Sequence, residues 1–294
     1  MAEKYVSDDC VILAGDAAHT HSSAAAQGMN TGVHDAVNLA WKLGGVLRGW
    51  YNKDILQTYE EERRPIAQEL IRQDKELSSL ITGNIPDEYK NSGLTANELI
   101  SKIITTNAQF ALGFGVHYNE NKLNVAPSIT SLVAGWRAPD VLLHKPGSRI
   151  PVRLQQLTPN TGAFWVVIFA GEPLLTGNSL LSLRSQLDSA QSFTKKAHPN
   201  AIRFLTIISG VKSQGEVALG VERFGNVYYD VDNSAHNKYG ISEELGGLVV
   251  LRPDGIFGFA VPLTREEDVC AYFFQFIRGQ AEDVSRGFLK QVIC

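Results

Sequence analysis

Cysteine is scarce, with only Cys10, Cys270 and Cys294 in 294 residues, far apart and without a C-x-x-C pair. That spacing excludes a zinc knuckle and a dithiol redox centre, and it predicts reduced thiols in a cytoplasmic protein rather than a disulfide framework. Long apolar runs are missing, so no segment reads as a membrane span, and Met1 is followed by Ala-Glu-Lys-Tyr instead of a signal sequence. Charge of one sign is also thin on the ground. The balance of 27 Lys+Arg against 31 Asp+Glu leaves a net charge of -4 with no block of like charges, which argues against nucleic acid or an anionic membrane as partner. What is present is a hydrophobic content of 44%, over a length sufficient for two cores.

The chain changes character along its length. Cys10-Val11-Ile12-Leu13-Ala14 stops at Gly15-Asp16 and reads as a buried, parallel strand. A loop of small residues, Ser22 to Gly28, leads into a helical pattern from Met29 to Arg48. A longer helix is predicted from Asp54, its N-cap, with an apolar stripe at Ile55, Tyr59, Ile66, Leu70, Leu77 and Ile81 and a kink or break at Pro65. The charges Glu60, Glu61, Glu62, Arg63 and Arg64 are expected on its solvated face. Thr95 and Glu98 form a capping box before Leu99, Ile100, Ile103 and Ile104.

Residues 135–150, within a Gly/Pro-rich passage, read as a linker between a first domain over 1–134 and a second over 151–294. Beyond it come a strand at Phe164–Phe169, a helix at Ser179–Ala190 and a strand at Ile202–Ile208. A hairpin follows, Leu248–Arg252 and Ile256–Ala260 around Pro253-Asp254-Gly255, and then a helix at Glu266–Phe276. Strand, helix, strand, hairpin, helix is the order of a thioredoxin-like domain, here without its redox cysteine pair. The expected fold class is therefore α/β, an α+β first domain followed by the thioredoxin-like one.

One stretch carries chemistry. Gly15-Asp16-Ala17-Ala18-His19 is followed by Gln27-Gly28-Met29-Asn30-Thr31-Gly32, then Asp35, Asn38-Leu39 and Trp41-Lys42-Leu43. This is similar to the second flavin-binding motif of FAD-dependent aromatic hydroxylases. Tyr59-Glu60-Glu61-Glu62-Arg63-Arg64-Pro65, Val116-His117-Tyr118-Asn119-Glu120-Asn121 and Arg252-Pro253-Asp254-Gly255 extend the resemblance to the phenol 2-monooxygenase branch. The resemblance implies that Asp16 meets the ribityl chain. It also implies that Gln27, Gly28, Met29 and Asn30 bring a helix N-terminus to the flavin ring, where backbone N–H groups favour the anionic reduced form.

The family's FAD is held mainly by an amino-terminal dinucleotide fold with a G-x-G-x-x-G turn. No such turn occurs here: Gly113-Phe114-Gly115 has Tyr118 in place of the third glycine and follows no strand. Ser23 stands where the family has proline, and Ala26 where it has glycine, a methyl group expected to obstruct a flat ring. These differences predict a flavin-independent catalyst, with no cofactor and no metal. Asp16, His19, His21 and His34, with Asp35 nearby, are its catalytic candidates for proton transfer. Isomerisation, dehydration or intramolecular cyclisation of an apolar natural-product intermediate is the expected chemistry. The alternatives are a fragment or half of an FAD- and NADPH-dependent hydroxylase of phenolic substrates, or a non-catalytic dimerisation or regulatory module. A strand with open edges and a helix with an uncovered apolar face would need covering, which predicts a homodimer.

Overall fold

The computed structural model describes residues 1–7, 11–22, 27–210 and 224–279. Cys10, Cys294, Ser23 and Ala26 lie outside the described residues. The described residues separate into two compact units, one of 1–40 and 56–118, the other of 41–55 and 119–279.

In the first unit Val6–Ser7 (β1) and Val11–Ile12 (β2) form a short antiparallel pair, Val6 opposite Ile12 and Ser7 opposite Val11. This corrects the expected buried parallel strand: Val11 is 57% exposed. A five-residue apolar run does not encode its partner, and the nearest pairing edge is the segment just before it. The N–H groups of Tyr5 and Val6 both donate to Glu60, at 2.9 Å each, so a carboxylate satisfies β1 where a third strand would otherwise pair.

Gly28–Leu47 (α1) follows the expected helix closely, with Thr31, Asp35 and Asn38 buried along one side and Met29, Val33 and Val37 exposed along another. Gln57–Ile81 (α2) begins after a 3₁₀ turn at Lys53–Leu56, so Asp54 is not its N-cap; that carboxylate instead accepts from Lys122 within the second unit. Nor does Pro65 break α2. The carbonyl deprived of a donor is that of Glu61, an exposed position where water can serve it. Gly83, with φ +82°, follows the end of the helix. Ala96–Thr106 (α3) starts at the expected capping box, with the Glu98 N–H donating to Thr95 Oγ1 and the Thr95 N–H to Glu98 Oε2.

The second unit is built on a seven-stranded mixed sheet. Its elements are Leu142–His144 (β3), Pro151–Arg153 (β4), Phe164–Gly171 (β5), helix Pro173–Asp188 (α4), Ile202–Ser209 (β6), Asn226–Asp230 (β7), helix Ser234–Tyr239 (α5), Gly247–Leu251 (β8), Phe257–Val261 (β9) and helix Glu266–Phe274 (α6). The order is β4-β3-β7-β6-β5-β8-β9, with β5, β6 and β7 parallel and the other pairings antiparallel. The core β6-β5-β8-β9 has the parallel pair and terminal hairpin expected of a thioredoxin-like domain. All eight residues of β5 are buried, as its apolar sequence requires. The helix expected from Ser179 starts at Pro173, the first-turn position at which proline costs no hydrogen bond. The stretch expected as a linker contributes β3, which is too short to announce itself. Cys270 is half-buried, and burial together with its hydrogen bond to Glu266 pushes its thiol up to about 12. Among the described residues no helix is long and apolar enough to cross a membrane.

Gly45, in the last turns of α1, is where helix propensity and packing disagree. A Cβ there would stand 2.1 Å from the Tyr51 ring, and that ring is wedged edge-on against Trp41 and Phe164. Gly45→Ala gains about 1 kcal/mol in helix propensity but forces an overpacked site costing about 1–3 kcal/mol. With so little room the loss wins. A lowered thermal midpoint is expected, and a raised one would contradict the packing.

Candidate functional site

The site is assembled around Asp35, a fully buried carboxylate on α1. Asp35 accepts from His19 Nε2 at 2.7 Å, from Arg63 Nε at 2.7 Å and from the Gly15 N–H at 3.0 Å. Burial is the largest single influence on its pKa and pushes upward. The His19 hydrogen bond and the charge and hydrogen bond of Arg63 outweigh it and hold Asp35 below its ordinary value. Arg63, also fully buried, is raised: burial opposes its charge, but Tyr118 and Asp35 favour it. Its remaining N–H groups reach toward the Tyr118 hydroxyl at 3.4 Å and the Thr31 carbonyl at 3.5 Å. Beside it, Glu62 accepts from Asn38 at 2.7 Å. The expected solvated face of α2 is therefore corrected: Glu62 and Arg63 are 1% and 0% exposed.

The cluster clamps a turn. Gly15 takes φ +59°, which a side chain would disfavour, and closes a single 3₁₀ turn, Gly15–Ala17, with the Ala18 and His19 N–H groups donating back to its carbonyl. The backbones of Gly15 and Gly32 come close together; a Cβ on Gly15 would lie 3.8 Å from the Gly32 Cα. Asp16 is thereby displayed to solvent at the end of β2, facing the start of α1.

An open groove of about 620 Å³ results, lined by Asp16, His21, Gln27, Gly28 and Met29, with Gly15 and Gly32 also in its wall. Among the expected site residues, Asp16, His21, Gln27, Gly28 and Met29 are thus brought together. Asn30 sits in the first turn of α1, exposed, but is not part of the lining. His19 is 2% exposed and turned to Asp35. His34 lies beside Gly113, whose added Cβ would come 2.5 Å from its ring. His34 and Asp35 do point different ways, as neighbours on a helix must. His21 Nδ1 donates to the Ser22 carbonyl, 2.7 Å away, and stands 4.0 Å from Asp74, which also takes the Ser22 N–H and hydroxyl. Among the described residues no group of His, Cys, Asp and Glu is arranged to hold a metal ion.

Arg63, Glu62, Asp74 and Gln73 were not singled out from sequence. The signal for Arg63 was there in spacing: it follows Tyr59 by four and precedes Ile66 by three and Leu70 by seven, which places it on the buried stripe.

The groove's chemistry can be tested against FAD. Asp16 offers an exposed acceptor for hydroxyls, and Gln27 an amide with no partner among the described residues. The N–H groups of Gly28, Met29 and Asn30 precede the first bond of α1, Thr31 N–H to Gln27 O, and find no acceptor among the described residues. Glycines at 15, 28 and 32 leave bare backbone in part of the wall. These groups fit the ribityl chain and the ring edge of a flavin.

Comparison with known proteins agrees on lineage. Residues 1–74 match the FAD binding domain model, and residues 88–281 match the phenol hydroxylase, C-terminal dimerisation domain. The FAD-dependent monooxygenase hkm7 of Aspergillus hancockii is 30% identical over 96% of this chain and 54% of its own length. The 3-hydroxybenzoate 4-monooxygenase of Comamonas testosteroni is 29% identical over 92% of this chain and 46% of its own. The OxyS anhydrotetracycline hydroxylase of Streptomyces rimosus superposes with a TM-score of 0.60 at 22% identity, covering 93% of this chain and 45% of that one, which speaks for the fold. The chain spans about half the length of the curated relatives it matches.

Proposed function

Because this chain belongs to the phenol hydroxylase family through its C-terminal dimerisation domain, we propose that it supplies one wall of the FAD site of an aromatic hydroxylase and associates as a homodimer. The observation that carries the reading is the convergence of Asp16, Gln27 and the unpaired first-turn N–H groups of α1 on one open, glycine-walled groove. Bound FAD would supply the electron transfer that lets such enzymes use NADPH and O₂ to hydroxylate phenolic rings. The chain's own residues do the rest. Asp16 orients hydroxyls, Gly28, Met29 and Asn30 favour negative charge at the helix start, and the Asp35–Arg63–His19 cluster fixes the turn that presents Asp16. In this reading residues 1–134 hold the flavin wall and residues 151–294 serve association, with 135–150 joining them.

Titrating the chain with FAD should shift the backbone amide resonances of Gly28, Met29 and Asn30. Asp16→Asn should weaken that binding about tenfold or more, the worth of a hydrogen bond to a charged acceptor. No shift at those amides with millimolar FAD would sink the proposal.

A second reading is favoured by one observation, the placing of His21 on the groove beside Asp74. A histidine next to a carboxylate can move protons without a flavin, which supports isomerisation, dehydration or cyclisation of an apolar natural-product intermediate. Cofactor-stripped protein would then give a product of unchanged mass for isomerisation or cyclisation, or one lighter by a single water for dehydration, and His21→Asn would abolish it. A product heavier by one oxygen, formed only with FAD and NADPH, would end this second reading.

A further inference from the structure

Helix α4 of the second unit is apolar on two sides. Thr176, Leu180, Leu183 and Leu187, three and four residues apart, are buried on the side that packs against β5. Leu174 and Leu181 stand elsewhere on the helix, 75% and 52% exposed. Seven residues apart, they fall one above the other at about 3.6 residues per turn, roughly 140° around the axis from the buried stripe. Gly177 and Asn178 lie between them and complete an i, i+3, i+4, i+7 set, the pattern of a helix face that packs. Gly177 sharpens the point. Glycine is disfavoured inside a helix, and Gly45 of α1 has its reason in the Tyr51 ring. At Gly177 an added Cβ would meet no described atom within 4 Å. The described residues make no use of the clearance this glycine keeps, whereas a second helix crossing there would, since the side chains at a crossing set how closely two axes approach.

We infer that this outer stripe of α4 is the face through which two copies of the chain associate, an inference that rests on the homodimer proposed above. The stripe is self-complementary, which a two-fold pairing requires. Its midpoint falls between Gly177 and Asn178. Two antiparallel α4 helices related by an axis at that point set Leu174 of each copy against Leu181 of the other. Gly177 lets them close at the centre, where the Asn178 amides, each both donor and acceptor, bond to one another and fix the register. A helix pair alone is smaller than the standard interface of about 800 Å² a side. Leu175 and Leu245 extend it, both exposed. The Glu172 N–H donates to the Glu243 carbonyl at 2.8 Å and so holds the loop carrying Leu245 beside the start of α4. All of these residues lie within the stretch that matches the dimerisation domain.

Sedimentation equilibrium of the full chain at micromolar concentration tests the face. Leu181→Asp changes an exposed residue, so the fold should survive, but it places a carboxylate from each copy in the contact. The dissociation constant should rise about 100-fold or more. Gly177→Ala separates association from helix propensity. It should raise the thermal midpoint of the diluted monomer while weakening the dimer about tenfold; a glycine with no packing role would show the first effect alone. Asn178→Cys should form an interchain disulfide under mild oxidation, above the background of the native cysteines. Arg149→Cys, exposed on the turn between β3 and β4, should not. A wild-type chain that stays monomeric would overturn the homodimer and this face together. A wild-type dimer indifferent to Leu181→Asp or to Gly177→Ala, or an Asn178→Cys chain no more cross-linked than Arg149→Cys, would overturn the face and leave the homodimer standing.

Discussion

Arg63→Ala should destabilise the first unit by about 3–5 kcal/mol, the cost of leaving one partner of a buried ion pair behind. Asp35 would keep its buried carboxylate but lose the guanidinium at 2.7 Å, retaining only His19 and the Gly15 N–H. Equilibrium urea unfolding measures the loss, and a change under about 1 kcal/mol would mean that water reaches Asp35. Arg63→Lys should fall between, because an ammonium restores the charge but not the fork that serves Asp35, Tyr118 and Thr31 together. Acid should have a related effect. Asp35 is held below its ordinary pKa in the folded state, so its contribution is complete above about pH 4, the unfolded carboxylate range, and is lost as pH falls through the lowered folded value. Arg63→Ala removes one of the groups that depress it, so the wild-type protein should show the steeper loss between about pH 4 and pH 2. The turn carrying Asp16 hangs on this cluster. Flavin binding should therefore weaken in Arg63→Lys even where the unit remains folded, which a purely structural role distant from the groove would not produce.

The parts of this architecture that could be read from sequence are those with local causes. A capping box needs only Thr95 and Glu98, a hairpin turn only Pro253-Asp254-Gly255, and a buried strand only the apolar run from Phe164. Long-range pairing leaves no such mark. β2 was expected inside a parallel sheet because its composition suits either setting, whereas its partner is the segment immediately upstream. Strands β3 and β4 have three residues each, and β7 is closed by Asp230, whose carboxylate accepts from His236 instead of facing water. The candidate site divides the same way. Asp16, Gln27, Gly28 and Met29 were legible because they belong to one contiguous motif. Arg63 was hidden because a charge in a run of charges reads as surface, and only the buried carboxylate 28 residues upstream makes it an interior residue. Asp74 reaches the groove residues Ser22 and His21 by tertiary packing, which a spacing rule does not encode.

Arg252→Leu is expected to be the corresponding lesion in the second unit, with a loss of about 3–5 kcal/mol. The Pro253-Asp254-Gly255 turn looks self-sufficient in sequence, since Gly255 takes φ +77° at open cost-free space and the turn residues suit a hairpin. The structure places a second device beneath it. Arg252, 1% exposed, donates to both carboxylate oxygens of Asp254, at 3.1 and 2.7 Å, and to Asn124 Oδ1 at 2.8 Å, while its guanidinium carbon stands 5.6 Å from the centre of the Trp41 ring. Trp41 closes the circuit by donating its indole N–H to Asp254 at 3.1 Å. Leucine would refill much of the volume and satisfy none of these acceptors, stranding a carboxylate and an amide oxygen in a site that excludes water. Asp254→Asn also leaves the buried Arg252 guanidinium without its counter-charge and should be destabilising, although the amide keeps an oxygen that can accept from Trp41 or Arg252. Combined with Arg252→Leu it should recover part of the loss, so the two changes will not add. Additive losses in that cycle would show the pair to be independent and would return the hairpin's stability to its turn residues alone.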